Sequence, residues 1–360
     1  MMKTVEFTGD RALVSQFVEF AFTLYKNDGN WTVPDRKSQL KTLLENDKLN
    51  EGNHAKVLAY EGGHIKARAL LYAPQGRTGC IGFLEFAEDY DFFGEFMDYC
   101  AAWFRKRGME RIMAPLDIDT WHRYRLMTKG FEEKIFTNEP YNKSYYPGYF
   151  SRYGFSVLEK YHSKQIRDYN KLLTRMKPKY AQGVSAGFGI RKINIRDFNN
   201  ELGIIYGLSG EIFRDNFGFS GISSGEFINL YSKMKEVADP DFILICRGPS
   251  GDDAGFIFAY PELNFLLGET NPLLKALKFL AYRAGYREGR ILNLKTIGVV
   301  KAHRATRMAA MMVYKVYEAA VKKGYRVFNH CLIRDGNVSS GIDAGAGVKN
   351  KEYCLYEIKL

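Results

Sequence analysis

The sequence predicts an α/β protein with a mixed sheet (α+β), built as two similar domains in tandem. Three observations carry this reading. The chain has 360 residues, and ~100 to 200 residues per domain makes two domains the natural division. Hydrophobic residues are 46% and charged residues 26% of the total, values ordinary for a folded globular chain and far from those of a disordered one. The third observation is an order of elements that occurs twice, roughly 190 residues apart, a period too long for the ~20 to 50 of solenoids and repeat arrays.

In the first half, helical apolar spacing from Phe17 to Tyr25 breaks at Asn27-Asp28-Gly29-Asn30-Trp31, and a polar helix is expected from Asp35 to Asn46. Ala55–Tyr60 and Ile65–Tyr72 flank the turn Glu61-Gly62-Gly63-His64 and read as a hairpin. A strand follows at Ile81–Phe86. The helix Phe92–Arg107 then ends in a basic turn and Gly108, and Arg111–Ala114 is a further strand.

The second half repeats the series. Ile204–Phe213 is helical, Asp215-Asn216-Phe217-Gly218-Phe219 breaks it, and Ser224–Val237 is the second helix. Asp241–Cys246 and Gly255–Tyr260 form a hairpin about the Gly248–Asp253 turn, and Ile291–Val300 is the single strand. The helix Ala305–Lys323 stops at Gly324 and leads to the strand Arg326–Asn329. Helical periodicity weakens between Gln165 and Gly189, beyond a short helix expected over Tyr169–Met176. The division is therefore an N-terminal domain at 1–164, a linker at 165–188 and a C-terminal domain at 189–360.

Composition also bounds the function. No apolar run approaches the ~20 residues that span a bilayer, and the N-terminal Met1–Phe7 lacks a signal-peptide core. The expectation is a cytoplasmic protein without a membrane partner. Five scattered cysteines form no Cys-x-x-Cys pair, so no metal and no disulfide framework is proposed. Lys plus Arg is 52 against 41 for Asp plus Glu, a net charge of +11, which favours anionic ligands such as phosphates, nucleotides or nucleic acid. The 24 tyrosines fit half-buried sheet positions as readily as a base-stacking surface.

The duplicated order resembles the GNAT superfamily of acyl-CoA-dependent N-acyltransferases, and more closely a group of bacterial tandem GNAT-like proteins. The residues that carry the resemblance are Thr120–Leu126, Glu139–Pro147 and Tyr153-Gly154-Phe155 in the first half, with Asp215–Phe219 and the helix start after Val299-Val300 in the second. The resemblance implies two GNAT-like domains and acetyl-CoA or another acyl-CoA as co-substrate. It places the family's Gln/Arg-x-x-Gly-x-Gly/Ala loop on Arg304-Ala305-Thr306-Arg307-Met308-Ala309. There, backbone N–H groups at a helix start would face a pyrophosphate. Arg304 and Ala309 fit; Arg307 stands where the family has glycine. The matching stretch of the first half, Glu88–Gly94, carries three carboxylates and would repel a pyrophosphate.

For chemistry, the resemblance implies a backbone amide near Val299 as the oxyanion donor, Asn337 as a hydrogen-bond partner of the pantetheine arm, and Tyr353 as the nearest substitute for a late tyrosine acid. His330 is a candidate base because imidazole titrates near neutrality, with a structural histidine as the rival reading. Glu85, on the first-half strand, is a second candidate base. Trp121, Tyr124, Arg125, Glu139 and Asn142 are candidate acceptor-binding residues, since such loops read small polar ligands, with packing and ion pairing as the rival. The working function is acyl-CoA-dependent transfer of an acetyl or longer acyl group to a small-molecule or peptide amine, with the acyl-CoA in the C-terminal domain. Two alternatives stand beside it: an aminoacyl-tRNA-dependent transferase of GNAT fold, which the charge would suit, and a non-catalytic degenerate pair that binds a ligand. The sequence leaves acceptor, acyl length and oligomeric state open.

Overall fold

A computed structural model describes residues 1–51, 53–343 and 345–360. Along the first half run β1 (Lys3–Phe7), α1 (Arg11–Leu24), α2 (Arg36–Glu45), α3 (Asp47–Glu51), β2 (Asn53–Glu61), β3 (His64–Ala73), β4 (Thr78–Phe86), α4 (Tyr90–Arg105), β5 (Arg111–Ala114), β6 (Leu126–Lys129), α5 (Tyr146–Tyr153) and β7 (Ser156–Ile166). The second half continues with α6 (Tyr169–Ser185), β8 (Gly189–Lys192), α7 (Phe198–Phe213), α8 (Ser224–Tyr231), β9 (Ile243–Arg247), β10 (Asp253–Pro261), α9 (Asn264–Leu267) and α10 (Pro272–Arg283). It closes with β11 (Ile291–Val299), α11 (Met308–Lys322), β12 (Val327–Arg334) and β13 (Val348–Lys359). The expected helices and hairpins are present. Asp10 and Asp35 start α1 and α2 by accepting backbone N–H bonds of the first turn. Helix α11 begins later than expected, because Lys301–His303 forms a separate 3-10 turn.

Two compact units form. The first is Met1–Lys160 with Leu266–Lys275 and Glu352–Leu360; the second is Tyr161–Phe265 with Ala276–Lys351. Within the first, strands pair in the order β1-β2-β3-β4-β5-β13, with β6 also on β13. Within the second, Tyr161–Ile166 of β7 pairs β12, followed by β11, β10, β9 and β8. Each sheet is therefore closed by a strand from the other half of the sequence. Residues 165–188, expected to open into a linker, mostly form α6, which buries Leu172, Met176 and Gly183. Gly183 is packed so tightly that an added Cβ would fall on the Met311 side chain of α11.

The two fourth strands share a distortion that positions everything below. Strand β4 runs parallel to β5 only as far as Cys80↔Met113, and β11 runs parallel to β12 only as far as Leu294↔His330. Beyond those pairs the strands part. Each fourth strand also bulges against its antiparallel neighbour: β4 carries Phe83 and Leu84 between the pairs Leu70↔Gly82 and Arg68↔Glu85, and β11 carries Lys295 between Leu294↔Ala259 and Thr296↔Phe258. A bulge bends a strand and re-aims the side chains after it. Phe83 takes φ 47°, a left-handed value, to make the bend.

In the first unit the gap is filled by the chain itself. The segment after β5 crosses directly over Gly82, where an added Cβ would lie 2.5 Å from the Leu116 carbonyl oxygen and 2.6 Å from Asp117 Cα. Both obstacles are backbone and cannot rotate aside. The approach lets Asp117 accept a hydrogen bond from the Phe83 N–H at 2.5 Å. Gly82→Ala is expected to lower unfolding stability by about 1 to 3 kcal/mol, read as a drop in denaturant midpoint. Gly94→Ala, in open space on α4, should instead raise it by roughly 0.5 to 1 kcal/mol; equal effects of the two would contradict the close approach.

Candidate functional site

The bend in β4 turns Glu85 inward, where it is 2% exposed. An ionised carboxylate so deeply placed needs partners for both oxygens. Oε2 accepts hydrogen bonds from the Tyr25 and Tyr146 hydroxyls, each at 2.8 Å. Oε1 faces the Arg123 guanidinium at 3.4 Å and Arg68 at 3.9 Å. Arg68 stands directly across from Glu85 in the β3–β4 register and is 1% exposed. Its Nη1 donates to the Phe17 carbonyl at 2.5 Å, and its guanidinium lies over the Phe17 ring. Arg123 also approaches Asp117 at 3.5 Å.

Burial, and then the Glu85 charge, push the Tyr25 and Tyr146 hydroxyls well above their ordinary range, so both stay protonated and donate. Burial raises the Asp117 carboxyl, opposed chiefly by Arg123. Two arginines thus balance two carboxylates, and Glu85, Asp117 and Arg123 line a small cleft together with Tyr124, Arg125 and Asn142. Polar walls of this kind suit a small ligand with both a cationic and an anionic or hydroxyl group.

The expected acceptor residues divide on inspection. Tyr124 and Arg125 line the cleft, with the Arg125 guanidinium 3.8 Å over the Tyr124 ring. Asn142 also lines it, but its amide is spent on backbone: it accepts from Met127 N–H at 2.7 Å and donates to the Met127 and Lys143 carbonyls. Glu139 is not among the lining residues. It accepts from Phe136 N–H at 2.7 Å and from the Tyr353 hydroxyl. Tyr353, fully buried in β13, thereby belongs to the sheet of the first unit and holds a loop in place; it does not stand at the α11 start. Half-buried Trp121 lies outside the lining as well, its N–H bonded to Asp119. Tyr25, Arg68, Asp117, Arg123 and Tyr146 were not among the expected site residues.

The end of the same strand is covered by aromatic side chains. Tyr146 stacks on Phe86 and accepts the Phe86 N–H at 2.9 Å, and Tyr145 donates to the Phe86 carbonyl at 2.7 Å. The end of β4 is capped by the protein's own phenols. All of Gly79–Phe86 is buried. The α4 start is likewise occupied, since Asp89 accepts the Phe92 N–H at 3.1 Å.

The second unit differs at each of these points. Lys295, Thr296 and Ile297 of β11 are only partly buried, where their β4 counterparts are covered. At the α11 start the N-cap residue Arg307 makes no side-chain capping hydrogen bond, and Ala305, Ala309 and Ala310 add little bulk. Thr306 donates to the His303 carbonyl at 2.7 Å and accepts from Met308 N–H at 3.4 Å, which fixes the turn into the helix; Met308 is fully buried beneath it. Arg307 is exposed and donates to Gln182 of α6 at 3.3 Å.

Arg304 does something other than the sequence implied. Its guanidinium donates to the Ile212 carbonyl at 2.8 Å and to that of Val299 at 3.5 Å, tying the C-terminal end of α7 to the end of β11. Asn337 is an exposed cap of a 3-10 turn, accepting the Ser339 N–H. His330 is 3% exposed, its Nε2 lies 3.0 Å from the Tyr317 hydroxyl, and its Nδ1 has no hydrogen-bond partner among the described residues. Burial first, with Lys164 adding to it and Asp343 opposing, drops its pKa to about 4. An imidazole so weakly basic is a poor proton acceptor near neutrality, and the structural role fits it better.

No protein-family model matches the chain. It is 22% identical to Protein YghO of Escherichia coli over 319 residues, 84% of this chain and 80% of that one. It is 20% identical to the bacterial ceramide synthase of Caulobacter vibrioides, covering 96% of this chain and 94% of the relative. Among solved structures it is similar to a tandem GNAT protein from the clavulanic acid biosynthesis pathway, with a TM-score of 0.56 at 10% identity over 100% of this chain and 98% of the other. The fold is the tandem GNAT fold.

The His330 environment makes a pH prediction. The unfolded imidazole takes up its proton near 6.5 and the folded one only near 4, so the unfolded state binds more protons between those values. Stability contributed by neutral burial is present above pH 6.5 and is lost as pH falls toward 4, by about 3 kcal/mol. His330→Gln should flatten that part of the stability profile; an unchanged slope would contradict the assignment.

Proposed function

We propose that this chain is an acyl-CoA-dependent N-acyltransferase whose acyl-CoA is held by the second unit. The observation that carries the proposal is the contrast between the two splayed strands. Strand β11 keeps a partly exposed middle beside a helix start whose N-cap Arg307 makes no side-chain capping bond, while the end of β4 is covered by Tyr145 and Tyr146 and Asp89 caps α4. One relative is a bacterial ceramide synthase, and a ceramide is an N-acyl amide.

The residues present fit the co-substrate's pyrophosphate. Small side chains at 305, 309 and 310 allow close approach to helix N–H groups, and the helix dipole favours the negative charge. Arg307, held over α6 by one hydrogen bond at 3.3 Å, supplies a cation there, while Arg304 acts as a strut that keeps the start of the loop in place. The backbone of β11 between Lys295 and Val299 supplies the amide for the thioester oxygen. The Glu85 cleft of the first unit is a separate polar pocket suited to a small ligand, with Tyr25 and Tyr146 holding the carboxylate in position. The net charge of +11 keeps a tRNA-linked donor as the rival reading. Binding to aminoacyl-tRNA with a steep salt dependence, and none to acyl-CoA, would establish that rival.

Isothermal titration with acetyl-CoA and longer acyl-CoAs, run beside ATP and pyrophosphate, tests the reading. Ala309→Asp places a carboxylate at the phosphate position and is expected to weaken acyl-CoA binding at least about tenfold without lowering the melting temperature, since an acid at a helix start is itself favourable. Glu85→Gln, in the first unit, should leave acyl-CoA affinity within about twofold. Acyl-CoA affinity indifferent to Ala309→Asp would refute the site.

A further inference from the structure

Helix α10, inserted between the hairpin and the fourth strand of the second half, has no counterpart in the first half. Asn271 caps it by accepting from the Leu273 and Leu274 N–H groups. Its leucines are uncovered: Leu273 is 71% exposed, Leu277 54% and Leu280 62%. Spaced by four and three residues, they form one stripe on one side of the helix. The opposite side carries the anchor, since Tyr282 is buried and donates its hydroxyl to the Val237 carbonyl at 2.7 Å, with Arg287 over its ring. The stripe therefore faces away from the protein that holds the helix.

Large contiguous apolar surface on a water-soluble fold marks an interaction site. Charge identifies the occupant. From Leu267 to Arg290 the segment holds five basic residues, Lys275, Lys278, Arg283, Arg287 and Arg290, against the two acids Glu269 and Glu288. The excess of basic over acidic residues along this segment disfavours pairing it with a second copy of itself. An anionic lipid surface supplies both an apolar layer for the leucines and negative charge for the basic flanks. With 12 residues the helix is about 18 Å long, short of a bilayer's ~30 Å core, and no helix among the described residues is long and apolar enough to cross a membrane. Lying on the surface is the geometry left to it.

We infer that α10 is an interfacial helix that docks the protein on anionic phospholipid bilayers through Leu273, Leu277 and Leu280. This departs from the expectation of no membrane partner and is independent of the acyltransferase reading. The test is co-sedimentation of the full chain with vesicles of phosphatidylcholine alone and of phosphatidylcholine mixed with phosphatidylglycerol, with light scattering on the lipid-free protein. The expected result is pelleting with the anionic vesicles, weak pelleting with the neutral ones, and at least a tenfold loss of partitioning for the triple variant Leu273→Glu, Leu277→Glu, Leu280→Glu with an unchanged circular dichroism melt. In a second variant, Leu277→Trp, the indole emission should shift to the blue with anionic vesicles and be quenched by brominated lipid. Failure to pellet with either vesicle, equal binding by wild type and the triple variant, or a dimer that the triple variant converts to monomer would each overturn the inference.

Discussion

A buried carboxylate at the point where two parallel strands part is the constraint on which the first unit depends. Glu85 has given up water, and four side chains from separate segments restore what it lost: Tyr25 at the end of α1, Arg68 on β3, Arg123 in the loop beyond β5 and Tyr146 at the start of α5. Removing any one leaves charge or a hydroxyl buried without a partner, a cost of several kcal/mol for an ion. The cluster therefore fixes the positions of four segments at once. The cleft beside it inherits that rigidity, which is what a binding site needs in order to select a ligand without reorganising.

The duplication shows one backbone device used in two ways. Both fourth strands bulge and both leave their parallel neighbour after a short stretch. In the first unit the opened edge is closed by phenols and by the Asp117 segment crossing Gly82; in the second it adjoins a helix start whose N-cap Arg307 makes no side-chain capping bond. A closed splay serves as a scaffold for a polar pocket. In the second unit the middle of the strand stays partly exposed.

Much of the scaffold was legible in the sequence because it rests on local signals: the hairpin glycines at 62 and 63, the Asp10 and Asp35 caps, and the basic turn before Gly108 and Gly324. Glu85 was legible too, as a carboxylate inside the apolar run Ile81–Phe86. Its partners were not, since Tyr25 is 60 residues and Tyr146 61 residues away and nothing local marks either. Arg304 was misread for the same reason. Its motif position suggested a phosphate, but its guanidinium is claimed by the Ile212 carbonyl 92 residues earlier. Tyr353 followed linear order into the wrong half, because strand exchange carries the chain's last strand into the first sheet. The leucine stripe of α10 is carried by local helical spacing after Asn271-Pro272, but its exposure depends on the tertiary fold.

Hydrogen–deuterium exchange of the full chain with and without acyl-CoA tests the central claim most directly, because it reports on both splayed strands in one experiment. The account predicts slowed exchange at residues 295–310, across β11 and the α11 start, with no change at residues 83–93 of β4 and α4. Protection at 83–93 instead, or none at either segment under saturating acyl-CoA, would contradict it.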